Sequence, residues 1–389
     1  MPRTRIAAVE WFRLRSRSIK EAWTDDEYGW PSEVPCLLVK VTAEDGAYGV
    51  GEAASQPWYL GETAEQMDSF LRLYARALAG HDAANLALAH RLMEKAVGAG
   101  MPGGRSARAG VDMALHDLVG KARGVPVHAL LGGALRRELP QLTNLYHKTP
   151  EAMAEACRRF ARAGFKGLKV KVGDELMSEG WSRGTLLKET AKLEAALEAA
   201  PRDVMIDADA NQGWANAGWT VATLARFKGR DNLSIEQPLG YADLAGAAFV
   251  RRHAGVPVIL DESVWSPEAV LEIARQGAAD RVVIKLNRLG GLFPSLQALT
   301  IAEAAGIGVS VDTNPFSLVG DTAGAHLAAV QRVPYPVDCE GHVSFLDFGT
   351  PNPFTGGVAF RDGLAVVPDA PGLGLDVDWE LLKRKVSAA

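Results

Sequence analysis

Lys169 and Lys171 open a series of charged residues that close short apolar runs and continues through Asp209, Glu236, Asp261, Lys285, Asp312 and Asp338. From Asp209 onward they recur every 24 to 27 residues, the repeat of one strand-helix unit each. Any one strand-ending acid also reads as a helix N-cap or a surface group. Three in succession, Asp209, Glu236 and Asp261, with no Cys or His among them, make an all-oxygen set for a hard divalent ion. That set favours Mg²⁺ over zinc, with Mn²⁺ as a possible substitute.

Lys169 and Lys171 alternate with Val170 on one strand, so both side chains project to the same face. The apolar neighbours argue against a solvated edge strand. Mutual repulsion and partial burial are expected to lower the pKa of at least one ammonium and make it a usable general base. Lys285 ends a strand beyond the acids, almost across from that pair, so a proton could leave one face of a substrate and return on the other. A proton alpha to a carboxylate is very weakly acidic, and a cation on the carboxylate oxygens stabilises the charge left by its removal. The residue types thus point to metal-assisted proton transfer on a small-molecule carboxylate.

Positioning such residues at one mouth requires parallel strands. After about Leu139 the runs GLKVKV, VMIDAD, LSIEQ, VPVIL, RVVIKL, IGVSV and YPVDCE alternate with helical stretches, which predicts a βα barrel. Before it, Ile6 to Leu14 and Cys36 to Val50 read as antiparallel strands, the latter turned at Asp45-Gly46. Thr63 and Gln66 form a capping-box pattern, and helices are expected near residues 84–95 and 106–122. The expected fold class is α/β, a parallel βα barrel with an N-terminal α+β domain. The predicted N-terminal domain spans residues 1–132, with the C-terminal segment 357–389 packing back on it, and the barrel spans 133–356.

The composition is that of a water-soluble protein, 48% hydrophobic and 23% charged over 389 residues, without an apolar run near the ~20 residues of a membrane span. The opening MPRTRIAAVEWFRLRSR lacks the apolar core of a secretion signal. Cys36, Cys157 and Cys339 are odd in number and widely spaced, arguing against a disulfide framework or a zinc site and favouring the cytoplasm. A net charge of −5 with scattered Lys and Arg gives no stripe for nucleic acid.

The stretch ARAGVDMALHDLVGKARGVPVHALLGG, Ala107 to Gly133, closely resembles the signature of the mandelate racemase/muconate lactonizing enzyme family of the enolase superfamily. The resemblance continues through GFKGLKVKVG, DADANQGW, IEQPL, LDES and IKLNRLGGL, and so covers nearly the whole chain. It implies Asp209, Glu236 and Asp261 as metal ligands, Lys171 and Lys285 as the opposed acid/base pair, and Lys169 as an electrostatic helper. It further implies that Asn211 and Glu262 orient the ligands, and that Asp207 is a decoy for Asp209. It implies too that the catalytic barrel is a modified (β/α)7β TIM barrel with the N-terminal α+β domain as a capping domain, whose loops near 15–35 and 53–61 would close over substrate, with Trp23, Tyr28, Trp30, Trp58 and Tyr59 as candidates to line it. Members are often octamers or dimers, so a homo-oligomer is expected.

Family members that use a histidine on the seventh strand differ from this chain, which reads IGVSVDTN there; His326 falls later, in an apolar helical stretch where core packing is expected. The lysine-based, muconate lactonizing subgroup is therefore favoured. In VDCEGH, Asp338 and Glu340 share a strand face and are similar to the D-x-D pattern with which dipeptide epimerases hold a substrate ammonium. The second acid here is Glu, which puts a dipeptide in doubt and leaves room for other cationic nitrogens; Glu340 could equally pair with a nearby Lys or Arg. The expected reaction is racemisation or epimerisation of an amino-acid derivative such as an N-acyl amino acid, dipeptide or betaine, with a muconate-type cycloisomerase as the alternative. A Schiff-base aldolase would need no three carboxylates, and a non-catalytic relative would be expected to have lost one of the charged residues.

Overall fold

The computed structural model describes residues 4–18, 33–54, 57–98, 103–146, 149–180, 182–214, 216–312, 316–339, 346–347 and 351–387. The first part of the chain folds as β1 (Ile6–Ser18), β2 (Glu33–Ala43) and β3 (Tyr48–Ala54), an antiparallel sheet extended beside β1 by a short later strand, β12 (Leu346–Asp347). Gly46, at φ 86, supplies the left-handed residue of the turn between β2 and β3. The predicted capping box is present: Gln66 N donates to Thr63 Oγ1 at 3.3 Å, and Thr63 N donates back to Gln66 Oε1 at 2.8 Å. It opens the helix Ala64–Leu78, which is followed by Leu86–Ala96 and Arg105–Arg123.

The signature helix Arg105–Arg123 is buried along almost its whole length. Its backbone lies directly on β3, where a β-carbon on Gly49 or Gly51 would come within 2.1 Å of Ala114 O or 2.0 Å of Gly110 O. Glycine is thus required there by close approach, and the side chains on either side of the contact form the core of the capping region.

Seven parallel strands follow in sequential order: β5 (Leu142–Leu145), β6 (Gly167–Lys171), β7 (Met205–Asp209), β8 (Leu233–Glu236), β9 (Val258–Leu260), β10 (Arg281–Ile284) and β11 (Gly308–Val311). Val337 bridges to Gln141 and Asp338 to Asp312, so two residues join the free edges and close the barrel. The runs GLKVKV through IGVSV correspond to β6–β11, and YPVDCE supplies the closing bridges. The first barrel strand, β5, is absent from the predicted series because LTNL is short and half polar. No described helix is long and apolar enough to cross a membrane.

β4 (Glu138–Pro140) pairs with β15 (Leu364–Val366), itself the hairpin partner of β14 (Ala359–Arg361); β13 (Phe354–Gly356) pairs with β16 (Leu375–Val377). Part of segment 357–389 therefore adds to the strand leading into the barrel. Its final helix, Trp379–Ser387, sets Trp379 against Phe12 of β1 and Tyr48 of β3, ring centroids 5.5 Å apart in each case.

Buried carboxylates fasten the capping helices and sheet to the barrel. Asp112 Oδ2 accepts the N–H of Leu292, at the head of the helix Leu292–Ala304, at 2.5 Å, while His90 lies 2.6 Å from its other oxygen. Glu52 accepts the N–H groups of Ser317 at 2.9 Å and Gly320 at 3.1 Å, at the head of the helix Leu318–Ala328. Asp117 joins three segments, accepting from Val50 N, Leu373 N and Lys121. Helix N-termini carry unpaired N–H groups and partial positive charge, so a carboxylate there replaces lost hydration.

Candidate active site

Period-2 alternation sends Lys169 and Lys171 of β6, Asp207 and Asp209 of β7 and Glu236 of β8 toward the barrel interior, while Asp261, Lys285 and Asp312 follow the last residues of β9, β10 and β11. All are buried or nearly so, with Glu236 and Asp261 wholly inaccessible. The charges are interleaved. Lys171 Nζ donates to Asp209 and, at 2.9 Å, to Asn211 Oδ1. Lys169 Nζ lies between Glu236 at 2.8 Å and Asp312 at 2.6 Å. Asp261 is held by Lys285 at 2.8 Å and by Arg288 at 2.6 Å.

This pairing reverses one expectation. Burial alone would push the three lysines down, but Asp312 and Glu236 outweigh it at Lys169, Asp209 at Lys171 and Asp261 at Lys285, so all three pKa values are raised. The like-charge repulsion foreseen between Lys169 and Lys171 is present and smaller than the pull of acids from neighbouring strands. Among the acids, burial raises Asp209 and Asp261, yet Lys171 beside the first and Arg288 with Lys285 beside the second leave both lowered. Glu236 is raised well above the carboxylate range by burial and then by Asp207; Glu262 is pushed up to about 7 by burial and then by Asp261 and Asp209.

Asn211 donates to Glu262 at 3.1 Å, and its N–H reaches Asp209 Oδ1 at 3.0 Å. Asn211, Gln212 and Gln237, just beyond two of the acids, have φ of 38°, 73° and 36°, a left-handed geometry that costs energy for residues with a β-carbon and gathers at functional sites. Gln237 Oε1 accepts the N–H of Asp261 at 2.9 Å, and the backbone N–H of Gln237 donates to Ile259 O at 2.9 Å. The loops carrying Glu236 and Asp261 are thereby tied together.

Glu236 Oε2 and Glu262 Oε2 are buried without a hydrogen-bond donor. Orphaned carboxylate oxygens in an all-oxygen set have the chemistry of a hard-cation site. Among the described residues, no three His, Cys, Asp or Glu side chains are gathered closely enough to hold a metal ion; each acid faces its own lysine or arginine.

Asp338 is buried, and Asn144 Nδ2 donates to its Oδ2 at 2.6 Å. Tyr146, two residues on, has its ring 5.5 Å from Lys171 Nζ, and its hydroxyl is raised by burial although Lys171 opposes this. Neither Asn144, Tyr146 nor Arg288 was singled out from sequence; the alternation Asn144-Leu145-Tyr146 across the end of β5 is the signal that could have found the first two. Trp23, Tyr28, Trp30 and Glu340, and the side chains of Trp58 and Tyr59, lie outside the described residues. His326 is fully buried, its Nδ1 accepting from His128 N at 3.2 Å, in keeping with core packing. A cavity of about 790 Å³ runs from Glu262 and Arg288 at the mouth to Phe70 and Arg105 of the capping helices.

The chain matches the model described as "Enolase C-terminal domain-like" over residues 152–381 and the mandelate racemase/muconate lactonizing enzyme N-terminal domain over residues 29–132. It is 31% identical to an N-succinyl-L-Arg/Lys racemase of Bacillus cereus, covering 92% of each chain. It is 32% identical to muconate cycloisomerase 1 of Rhodococcus opacus, covering 90% of each. A crystal structure of a dipeptide epimerase from Enterococcus faecalis complexed with Mg and the dipeptide L-Leu-L-Tyr superposes with a TM-score of 0.85 at 26% identity, covering 96% of this chain and 99% of that one. The chain belongs to the mandelate racemase/muconate lactonizing enzyme family of the enolase superfamily. It is an enzyme, and all three of these relatives are isomerases.

Proposed function

We propose that this enzyme racemises or epimerises an amino-acid derivative by moving the proton alpha to its carboxylate. The observation that carries this reading is the interleaving of buried lysines and acids around one barrel mouth, with Lys171 and Lys285 on either side of Asp209, Glu236 and Asp261. Asp209, Glu236 and Asp261 would hold Mg²⁺, with Mn²⁺ as a substitute, and Asn211 and Glu262 would orient them. When bound, the cation supplies electrostatic stabilisation of the negative charge that gathers on the substrate carboxylate.

In this scheme Lys171 removes the alpha proton from one face and Lys285 returns one to the other, or the reverse for the opposite enantiomer. Lys169 adds positive charge beneath the carboxylate. The raised lysine pKa values fit the acid half of each turnover directly. The base half requires one lysine to be neutral, and a cation held by Asp209, Glu236 and Asp261 would favour this by weakening the acids' hold on the lysines. Asp338, oriented by Asn144, is suited to accept a substrate nitrogen.

Muconate-type cycloisomerisation is the second reading, favoured by 32% identity to the Rhodococcus enzyme beside 31% to the racemase. Deuterium uptake in ²H₂O over N-succinyl amino acids, dipeptides and muconates, with Mg²⁺ and with EDTA, tests the proposal. Metal-dependent exchange at the alpha carbon supports the racemase reading; exchange with no amino-acid derivative, together with lactonization of a muconate, would overturn it.

A further inference from the structure

At the opposite end of the barrel, beneath the starts of the strands, lies a second cavity of about 440 Å³, lined among others by Met205, Asn232, Ser234, Ile259, Arg281 and Tyr335. Arg281 is only 4% exposed. A guanidinium carries five N–H donors, and here they are poorly used. Nη2 makes one long contact to Ser234 Oγ at 3.3 Å, Nη1 abuts Met205 Sδ at 2.9 Å, and Nε has no partner. Asp207, the nearest acid, is 3.8 Å away, beyond hydrogen-bond reach. The flat face of the group rests on the Tyr335 ring, 4.8 Å from its centroid.

A buried charge with so few hydrogen bonds is costly, and planar guanidinium groups match oxyanions. Asn232 Oδ1, on the same wall, is buried without a donor while its amide group donates to Val204 O at 2.9 Å. Three acids also line the cavity or its rim, but each has its own cation: Asp203 with Lys166, Asp231 with Arg202 and Asp280 with Arg251. Asp207 balances the charge of Arg281 from 3.8 Å but takes none of its hydrogen bonds, so the guanidinium's donors remain open to a ligand. We propose that this cavity binds a small oxyanion bearing a hydrogen-bond donor, a hydroxycarboxylate or hydrogen phosphate, whose oxygens meet Arg281 and whose donor meets Asn232. The site is separate from the catalytic mouth and does not depend on the reaction assigned there.

Isothermal titration of the full-length enzyme with inorganic phosphate, and separately with lactate, tests it. Binding of either is expected, and which one binds identifies the source of the oxyanion. Affinity should fall at least tenfold in Arg281→Gln and in Asn232→Asp, and stay unchanged in Lys285→Ala, which removes a cation from the mouth only. Arg281→Gln leaves Asp207 with less compensation and can misfold, so Asn232→Asp, which keeps the guanidinium and sets a carboxylate before it, is the independent check. Binding lost in Lys285→Ala but kept in Asn232→Asp would move the anion to the mouth and overturn the proposal. Absence of binding by both anions would show a cavity filled with water alone and overturn it as well.

Discussion

Replacing Lys285 by alanine separates chemistry from stability more cleanly than any other change at the mouth. Breaking a buried ion pair costs about 3–5 kcal/mol when it leaves an uncompensated charge. Asp261, however, would keep Arg288 at 2.6 Å, so the stability loss is expected to fall below that range and the variant to fold. The catalytic loss is expected to be larger in effect. A positioned acid or base contributes about 10²–10⁴-fold, or about 3–6 kcal/mol at about 1.4 kcal/mol per tenfold. Each enantiomer of an N-succinyl amino acid would be incubated with the variant in ²H₂O and followed by NMR and mass spectrometry, alongside a urea titration. Racemisation should drop at least a hundredfold. One enantiomer, whose proton faces Lys171, should still exchange with solvent while the other does not. Racemisation at the wild-type rate, or equal loss of exchange from both enantiomers in a folded variant, would refute the two-lysine reasoning.

Asn144→Ala removes the donor 2.6 Å from Asp338; KM for a substrate bearing a cationic nitrogen should rise about tenfold, roughly 1.4 kcal/mol, with kcat less affected, and an unchanged KM in steady-state kinetics would count against Asp338 as its partner. At the joint between the capping helices and the barrel, burial opposes both charges of the Asp112–His116 pair, but each partner outweighs it, lowering Asp112 and raising His116. A lowered acid stabilises the fold above its unfolded pKa of about 3.9 and loses this as pH falls; a raised histidine stabilises it below about 6.5 and loses this as pH rises. The stability difference between wild type and Asp112→Asn should therefore be largest between about pH 4 and 6.5, and urea titrations showing a pH-independent difference would exclude the ion pair. Gly51→Ala would put a β-carbon 2.0 Å from Gly110 O and should cost about 3 kcal/mol or more, whereas Gly46→Ala meets open space and should cost only about 1 kcal/mol for its left-handed φ; similar urea midpoints for the two would contradict the close packing of helix on strand.

Much of the fold was legible because its signals are local. Thr63 and Gln66 are three residues apart, and the β-branched runs of β6 to β11 are each contiguous. β5 was missed because Thr143 and Asn144 dilute its apolar pattern. The acids and Lys285 at the mouth were legible as a set through their regular spacing, and Lys169 and Lys171 through their alternation on one strand. Their protonation was not, because it depends on partners that only the closed barrel brings together: Lys169 and Asp312 are 143 positions apart, and Lys169 and Glu236 are 67 apart. Arg288 escaped notice for the same reason, since a single arginine in the short helix Leu286–Leu289 carries no sign that it will return to the acid of the preceding strand.

The seating of Glu52 and Asp112 on the heads of two barrel helices bears on any attempt to build chimeras in this family. A crossover placed at residue 132 would look clean along the chain, yet it would separate Glu52 from Ser317 and Gly320, and Asp112 from Leu292. A transplanted N-terminal half could keep every residue that faces substrate and still sit askew, because its attachment is written partly in backbone amides belonging to the recipient. The successful exchange would be one that treats those two helix heads as part of the donor and carries them with it.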